Sequence, residues 1–246
     1  MNLEKTIQER LYKMENNPPP DHDLWPEKCG GSSEALLIFV GPSPGGKKEE
    51  ERRDRQLAII EPKWNEPYIE PTNWSRGFKV SFKPIVETFL GKDYPTAAKL
   101  IAVLNMDWMQ NPESSDVSFR YMWEGCNQIL PIIERCNPFL LIPMDMKTFG
   151  VIQIGLFNSG FEIQPIKTGT IKIRISDRNK KPRYHRDVKG FIATKKNIRI
   201  TVIKSFQHPA RIYDREYADR VAVGIKDSYH LINSGETINL DIDYAS

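Results

Sequence analysis

Three short, uninterrupted apolar runs constrain the fold of this chain more than any other feature of its sequence. They lie within the segments ALLIFV at 35–40, KLIAVLN at 99–105 and PFLLIPM at 138–144. Such runs are typical of parallel strands that are buried on both faces of a sheet. Segments with helical periodicity separate them, most clearly at 79–90 and 118–136. We therefore predict a three-layer α/β/α fold with a mostly parallel central sheet.

The second half of the sequence predicts two more helices and a basic hairpin. Helical periodicity places one helix near 147–160 and another at 214–233, before an acidic tail, DIDYAS. Alternating apolar residues at 169–176 and 197–204 indicate two strands on either side of a polar stretch. We predict that residues 166–204 form a β-hairpin excursion from the sheet.

Residues 1–30 are predicted to lie outside a single domain that spans residues 31–246. A helical segment at 3–15 is followed by three consecutive prolines, which prevent the helix from continuing and favour a stiff linker. The N-terminus lacks the apolar core of a secretory signal, and no run of the sequence approaches the length of a membrane span. We expect a cytoplasmic protein that does not associate with membranes.

The three cysteines argue against a disulfide framework and against a metal site. Cys29, Cys126 and Cys136 are widely spaced, and none belongs to a C-x-x-C pair. We therefore expect no cofactor, no metal ion and no iron–sulfur cluster.

The predicted hairpin concentrates the positive charge of the chain. Residues 166–204 carry 13 Lys or Arg and two Asp or Glu, a net charge of +11, whereas the whole chain carries only +3. A solvated loop is one interpretation, but aromatic and β-branched residues are interleaved with the charges, which favours a surface that binds a polyanion. The candidate contacts are Lys180, Lys181, Arg183 and Arg186.

The turn after the first apolar run is one residue short of a nucleotide-binding P-loop. Residues 41–48 spell G-x-x-x-x-G-K-K. A P-loop needs successive backbone N–H groups for phosphate and a hydroxyl for magnesium, whereas Pro42 and Pro44 have no N–H and Lys48 replaces the hydroxyl. A nucleotide hydrolase is therefore the least favoured of three hypotheses.

Glycine, asparagine, aspartate or histidine follows each of four predicted strands. Ligands of open α/β sheets bind beyond the carboxyl ends of the strands, which directs attention to these turns. In chain order they contain Gly41-Pro42-Ser43-Pro44-Gly45, Asn105 in IAVLNMDWM, Asp145 in LIPMDMKTF and His208 in SFQHPARIY. This order resembles the uracil-DNA glycosylase superfamily over most of residues 34–215.

The resemblance implies a base-flipping enzyme that hydrolyses an N-glycosidic bond and leaves an abasic site. His208 matches the residue that donates a hydrogen bond to the departing base, which gains negative charge. Asn105 matches the reader of the base edge, since an amide both donates and accepts. The remaining implied pocket residues are Gly41, Pro42, Pro44, Gly45, Trp74 and Phe78, and the loop entering the duplex would be Arg211, Ile212 and Tyr213.

The first turn departs from the family pattern where many members place an acid or an amide that orients water. Pro42 and Ser43 occupy these positions, so we expect the substrate to be a modified or damaged base rather than plain uracil. Ser43, Asp107 and Asp145 are the candidates to hold or activate the attacking water.

Three of the candidate residues also have a purely structural interpretation. Asn105 suits a turn that satisfies backbone groups, Asp145 suits the N-cap of the next helix, and His208 suits a strand end. The leading hypothesis is a monomeric, metal-independent, monofunctional DNA glycosylase that acts in repair or in defence against modified foreign DNA. A module of the same fold that reads a base without cleaving it is the second.

Overall fold

The structure is a computed structural model that describes residues 30–31, 34–42, 76–91, 93–97, 100–106, 117–174, 183–204 and 215–242. The predicted helix at 3–15, the proline-rich linker and the lysines of the near P-loop lie outside these residues. The division of the chain at residue 30 therefore stays a prediction.

The described residues form one nine-stranded sheet, in the order β1-β3-β2-β4-β8-β7-β6-β9, with β5 paired to β7. Its strands are β1 (Gly30–Gly31), β2 (Leu37–Gly41), β3 (Ile101–Asn105), β4 (Leu140–Pro143), β5 (Glu162–Ile163), β6 (Lys167–Arg174), β7 (Arg183–Lys195), β8 (Ile198–Ile203) and β9 (Ile238–Ile242).

Helices cover both faces of this sheet. Their bounds are α1 (Arg76–Leu90), α2 (Tyr94–Ala97), α3 (Phe119–Cys136), α4 (Met146–Asn158) and α5 (Arg215–Ser234). One buried cluster joins α3 and α4 to the sheet, and a second joins α1 and α5 to the opposite face. The predicted α/β class and its flanking helices are confirmed.

Strand β2 shows why the apolar runs contain no polar residue. Successive side chains of a strand point to opposite faces. Ile38 and Val40 belong to the cluster beneath α3 and α4, whereas Leu37 and Phe39 belong to the cluster beneath α1 and α5. All four side chains are fully buried, because both faces of the strand are covered.

The centre of the sheet is parallel. Strand β2 pairs in parallel with β3 on one side and with β4 on the other, and β4 pairs in parallel with β8. Four neighbouring strands therefore end at the same edge of the sheet. Three of them are the apolar runs of the sequence, and the fourth is the second strand of the predicted hairpin.

The predicted hairpin excursion is wrong, because its strands belong to the main sheet. Strand β7 is 13 residues long and pairs antiparallel with both β6 and β8. Residues 183–190 look like a polar loop in the sequence, yet they form the β6–β7 ladder, since backbone hydrogen bonds of a ladder need no apolar side chain. The basic segment thus extends the sheet that holds the parallel strands.

Residues 238–242 form β9, a strand that the sequence analysis did not predict, and its last two residues begin the acidic tail. This strand pairs in parallel with β6. Gly169 of β6 permits the pairing, because a Cβ atom at this position would overlap the backbone carbonyl of Ile238.

Candidate functional site

The carboxyl edge of the four parallel strands is the candidate site. Gly41 ends β2 and Asn105 ends β3, and the two residues are level in the register. Asp145 follows β4 after Met144, and Lys204 follows β8 directly. We call Gly41, Asn105, Asp145 and Lys204 the strand-end group.

The side chain of Asn105 lies over Gly41. A Cβ atom at position 41 would be 2.5 Å from Asn105 Oδ1 and 3.6 Å from Met144 Sδ. The Met106 N–H donates to the Gly41 carbonyl at 3.0 Å, which ties the two strand ends together. Only glycine leaves room for the amide at this place, so the glycine and the asparagine form one unit.

Asn105 is a buried polar residue at a strand end, with 6% of its surface exposed. A buried amide is costly unless it is hydrogen-bonded, so such a residue is fixed in orientation by its surroundings. The sequence predicted a base reader at this position, and a held amide that both donates and accepts suits that chemistry. Pro42, which follows Gly41 in the chain, is also buried.

Asp145 is the N-cap of α4, as its structural interpretation predicted. Its backbone is extended, and its Oδ1 accepts a hydrogen bond from the Thr148 N–H at 2.7 Å. Its second carboxylate oxygen, Oδ2, is buried and has no hydrogen-bond partner within the described part of the chain. The same holds for Oγ1 of the fully buried Thr148.

These two oxygens give the cap hydrogen-bonding capacity that no group in the described ranges uses. Buried polar atoms are nearly always paired with protein or with ordered water, and unpaired ones mark sites of strain or function. The hydrogen bond from the Thr148 N–H fixes the carboxylate of Asp145 through Oδ1, and Oδ2 can then act as an acceptor. The capping role and a chemical role of Asp145 are therefore compatible.

Lys204 is a member of the strand-end group that the sequence analysis missed. Its backbone N–H donates to the Lys189 carbonyl at 2.9 Å, and its side chain is partly buried. Burial lowers the pKa of its amine, Asp187 and Asp145 act in the opposite direction, and Lys189 and Arg186 add to the lowering. In the sequence it appears as one of 13 basic residues in the segment 166–204, and its place directly after an apolar strand is the signal that distinguishes it.

Comparison with known proteins adds no assignment. No protein-family model matches the chain, and no curated protein matches it.

The described residues also contain no group of three or more His, Cys, Asp or Glu side chains that is arranged to hold a metal ion. None of the described helices is long and apolar enough to cross a membrane.

One predicted DNA contact is engaged within the fold. Nε of Arg186, in β7, donates to the hydroxyl group of Tyr217, in α5, at 3.0 Å. Tyr217 is 6% exposed, and Arg186 is partly buried. This bond fixes the guanidinium group beside the start of α5, near the carboxyl edge of β8.

The structure thus brings part of the predicted site together. Gly41, Pro42 and Asn105 lie at the ends of β2 and β3, and Asp145 follows β4. The backbone of Phe78 lies in α1 and that of Arg183 in β7. Outside the described residues lie Ser43, Pro44, Gly45, Trp74, Asp107, Lys180, Lys181, His208, Arg211, Ile212 and Tyr213.

Proposed function

We propose that this chain is a DNA glycosylase that flips a modified or damaged base out of DNA and hydrolyses its N-glycosidic bond. The observation that supports it most is the amide of Asn105, buried over Gly41 at the end of two parallel strands. A flipped base is read through hydrogen bonds to its edge, and a fixed amide supplies one donor group and one acceptor in a defined order. The uracil-DNA glycosylase-like form of the fold is part of this proposal.

Asp145 supplies the acceptor that hydrolysis needs. Its Oδ1 is fixed by the Thr148 N–H, while the buried Oδ2 is without a partner among the described residues. In the proposed reaction, Oδ2 accepts a proton from water as the water oxygen attacks C1′ of the flipped nucleotide. The bond between C1′ and the base nitrogen breaks, and its electron pair leaves with the base. His208 would donate a hydrogen bond to that base.

The basic part of the sheet lies next to this edge and favours a nucleic-acid partner. Strand β7 pairs directly with β8, whose end belongs to the strand-end group. Lysine and arginine near the mouth of a pocket bind phosphates without regard to sequence and give salt-dependent affinity. The net charge of +11 in residues 166–204 therefore supports DNA as the substrate.

Abasic-site formation on a panel of DNAs tests the proposal. The panel contains uracil, deaminated purines, alkylated bases and hypermodified cytosine or thymine, and abasic sites are revealed by strand scission in mild alkali. We expect the wild type to act on one class of base and His208→Ala to be inactive on it. Salt-dependent binding to DNA without any abasic site would instead favour the non-cleaving base reader.

A further inference from the structure

The hydrolysis described above makes no use of Lys204, although its amine belongs to the same edge of the sheet. Strands β4 and β8 are parallel neighbours, with Leu140 level with Thr201 and Leu141 level with Val202. Continuing this register brings Lys204 level with Pro143, two residues before Asp145. The two side chains interact electrostatically. An amine and a carboxylate thus lie at the same edge of the sheet, where the proposed reaction releases its product.

The neighbours of Lys204 favour a reactive amine. Strand β7 contributes Asp187, Lys189 and Arg186, and the start of α4 contributes Asp145. Burial and the two cations outweigh the two carboxylates, so the pKa of the amine lies below its usual value. A partly buried lysine beside other cations has a larger neutral fraction near neutral pH, and the neutral amine is the nucleophile.

We propose that Lys204 forms an imine with the aldehyde of an abasic site, so that the chain is an abasic-site lyase as well as a glycosylase. The proposal rests on the proposed function, because that reaction releases an abasic sugar at this edge. It also replaces the expectation of a monofunctional enzyme. The aldehyde form of an abasic deoxyribose is an electrophile that a neutral amine attacks.

The steps balance without an oxidant, a reductant or a metal ion. The Lys204 amine adds to C1′ of the open-chain sugar, and loss of one water molecule gives the imine. The carboxylate of Asp145 takes a proton from C2′, and the C3′–O bond breaks, so the phosphate leaves with its electron pair. Water then hydrolyses the imine, which frees Lys204 and an unsaturated aldehyde at the 3′ end of the cleaved strand.

Borohydride trapping on ready-made abasic DNA tests the proposal with the full-length chain. Borohydride reduces an imine to a stable secondary amine, so the expected result is a covalent protein–DNA adduct that peptide mass spectrometry maps to Lys204. Lys204→Arg keeps the positive charge but cannot form the imine, and we expect complete loss of the adduct. Adduct formation by the wild type should rise with pH, with a midpoint below the ordinary lysine pKa of about 10.4.

Matched controls separate this chemistry from general binding. Lys226→Arg changes an exposed lysine of α5 that lies outside the strand-end group and outside the basic segment, so it should leave the adduct yield unchanged. DNA with a tetrahydrofuran residue lacks the aldehyde and should give no adduct. An adduct that persists in folded Lys204→Arg, or that maps to another residue of the wild type, would overturn the assignment, as would the absence of any adduct.

The same experiment keeps the two proposals distinguishable, because the abasic site is supplied rather than made by the chain. Base release without trapping would overturn the role of Lys204 and leave the glycosylase proposal intact. Trapping at Lys204 without base release from any DNA would support the lyase and overturn the glycosylase. If the Lys204→Arg variant does not fold, the position of the adduct in the wild-type protein, as mapped by peptide mass spectrometry, still decides the question.

Discussion

Strands β2, β3 and β4 are short and buried along their whole length, whereas β6 and β7 are longer and mix buried with exposed residues. We call the first three together with β8 the parallel half, and β7, β6 and β9 the basic half. In the proposed reaction, residues of the parallel half act through the ends of their strands, where Asn105 and Asp145 lie. The strands of the basic half pair along their length, and their residues contribute charge beside the strand ends of the parallel half.

In the proposed glycosylase, this difference separates the residues that carry out the chemistry from those that provide affinity for DNA. In a parallel sheet the strand ends meet at one edge, so a few residues from distant parts of the sequence form a site. Along a strand of the basic half, successive residues rise by about 3.4 Å each and point to alternate faces, so their charges form an extended surface instead. The comparison predicts that changes at strand ends alter activity, whereas changes within the basic half alter stability or DNA affinity.

The largest effect is expected from Phe191→Ala, which tests whether β7 is part of the core. Phe191 is fully buried and meets the ring of Phe149 in α4 at 5.3 Å between centroids, in an edge-to-face arrangement. Truncating a buried phenylalanine typically lowers the free energy of unfolding by about 3–5 kcal/mol. Denaturant unfolding measures this loss. A change near zero would mean that β7 is dispensable to the core and would break the comparison.

Two glycine substitutions sharpen the comparison, because each places a methyl group against a different neighbour. Gly41→Ala displaces the end of the Asn105 side chain rather than backbone, so we expect a smaller loss of stability than from Gly169→Ala. We expect the rate of abasic-site formation to fall about 100-fold, because displacing a catalytic group typically costs this much. Abasic-site assays of the variant and the wild type measure the difference.

Gly169→Ala is the matched change in the basic half. Its methyl group meets the backbone of Ile238, which cannot move without disturbing β9. We expect a loss of roughly 1–3 kcal/mol in the free energy of unfolding, as for other overpacked sites, and no direct effect on the chemical step. If Gly41→Ala and Gly169→Ala had equal effects on stability and on rate, the proposed division between a catalytic edge and a structural basic half would be contradicted.

A smaller effect concerns DNA affinity. Neutralising Lys180, Lys181, Arg183 and Arg186 should weaken binding and flatten its salt dependence, since each lost phosphate contact removes about 0.9 from the slope of log K against log salt. Binding titrations at several salt concentrations measure that slope. Tyr217→Phe is the control for Arg186, because it removes their hydrogen bond and keeps the charge. An unchanged slope in the neutralised variant would exclude these residues from the binding surface.

The smallest effect is a pH dependence of stability that arises at Lys204. Burial lowers the pKa of its amine, so the unfolded chain binds more protons than the folded one between that lowered pKa and the ordinary value of about 10.4. Across this window, the free energy of unfolding of the wild type should rise with pH relative to Lys204→Met. Unfolding curves of both proteins at several alkaline pH values test the sign. A relative fall would mean that the amine is stabilised in its charged form.

The parallel half could be predicted from the sequence because its signals are local. Uninterrupted apolar runs identify β2, β3 and β4, and a polar residue directly after such a run identifies Asn105 and Asp145. The cap that Asp145 forms is equally local, since its partner is three residues away.

The basic half could not be predicted in the same way, because its structure depends on partners distant in the sequence. Residues 183–187 are polar and become a strand through pairing with β6. Arg186 meets Tyr217 across 31 residues of sequence. The partial burial of Lys204, and the lowered pKa that follows from it, depend on β7 and the start of α4, which the sequence alone does not place beside it.

The most direct test of the central claim is to identify the base that the protein releases from DNA. Chromatography and mass spectrometry of the small-molecule fraction would be run for the wild type, Asn105→Ala and Asp145→Asn, after circular dichroism shows that all three are folded. The account predicts one released base for the wild type and a loss of release in both variants. No free base from any DNA, or undiminished release by Asn105→Ala, would contradict it.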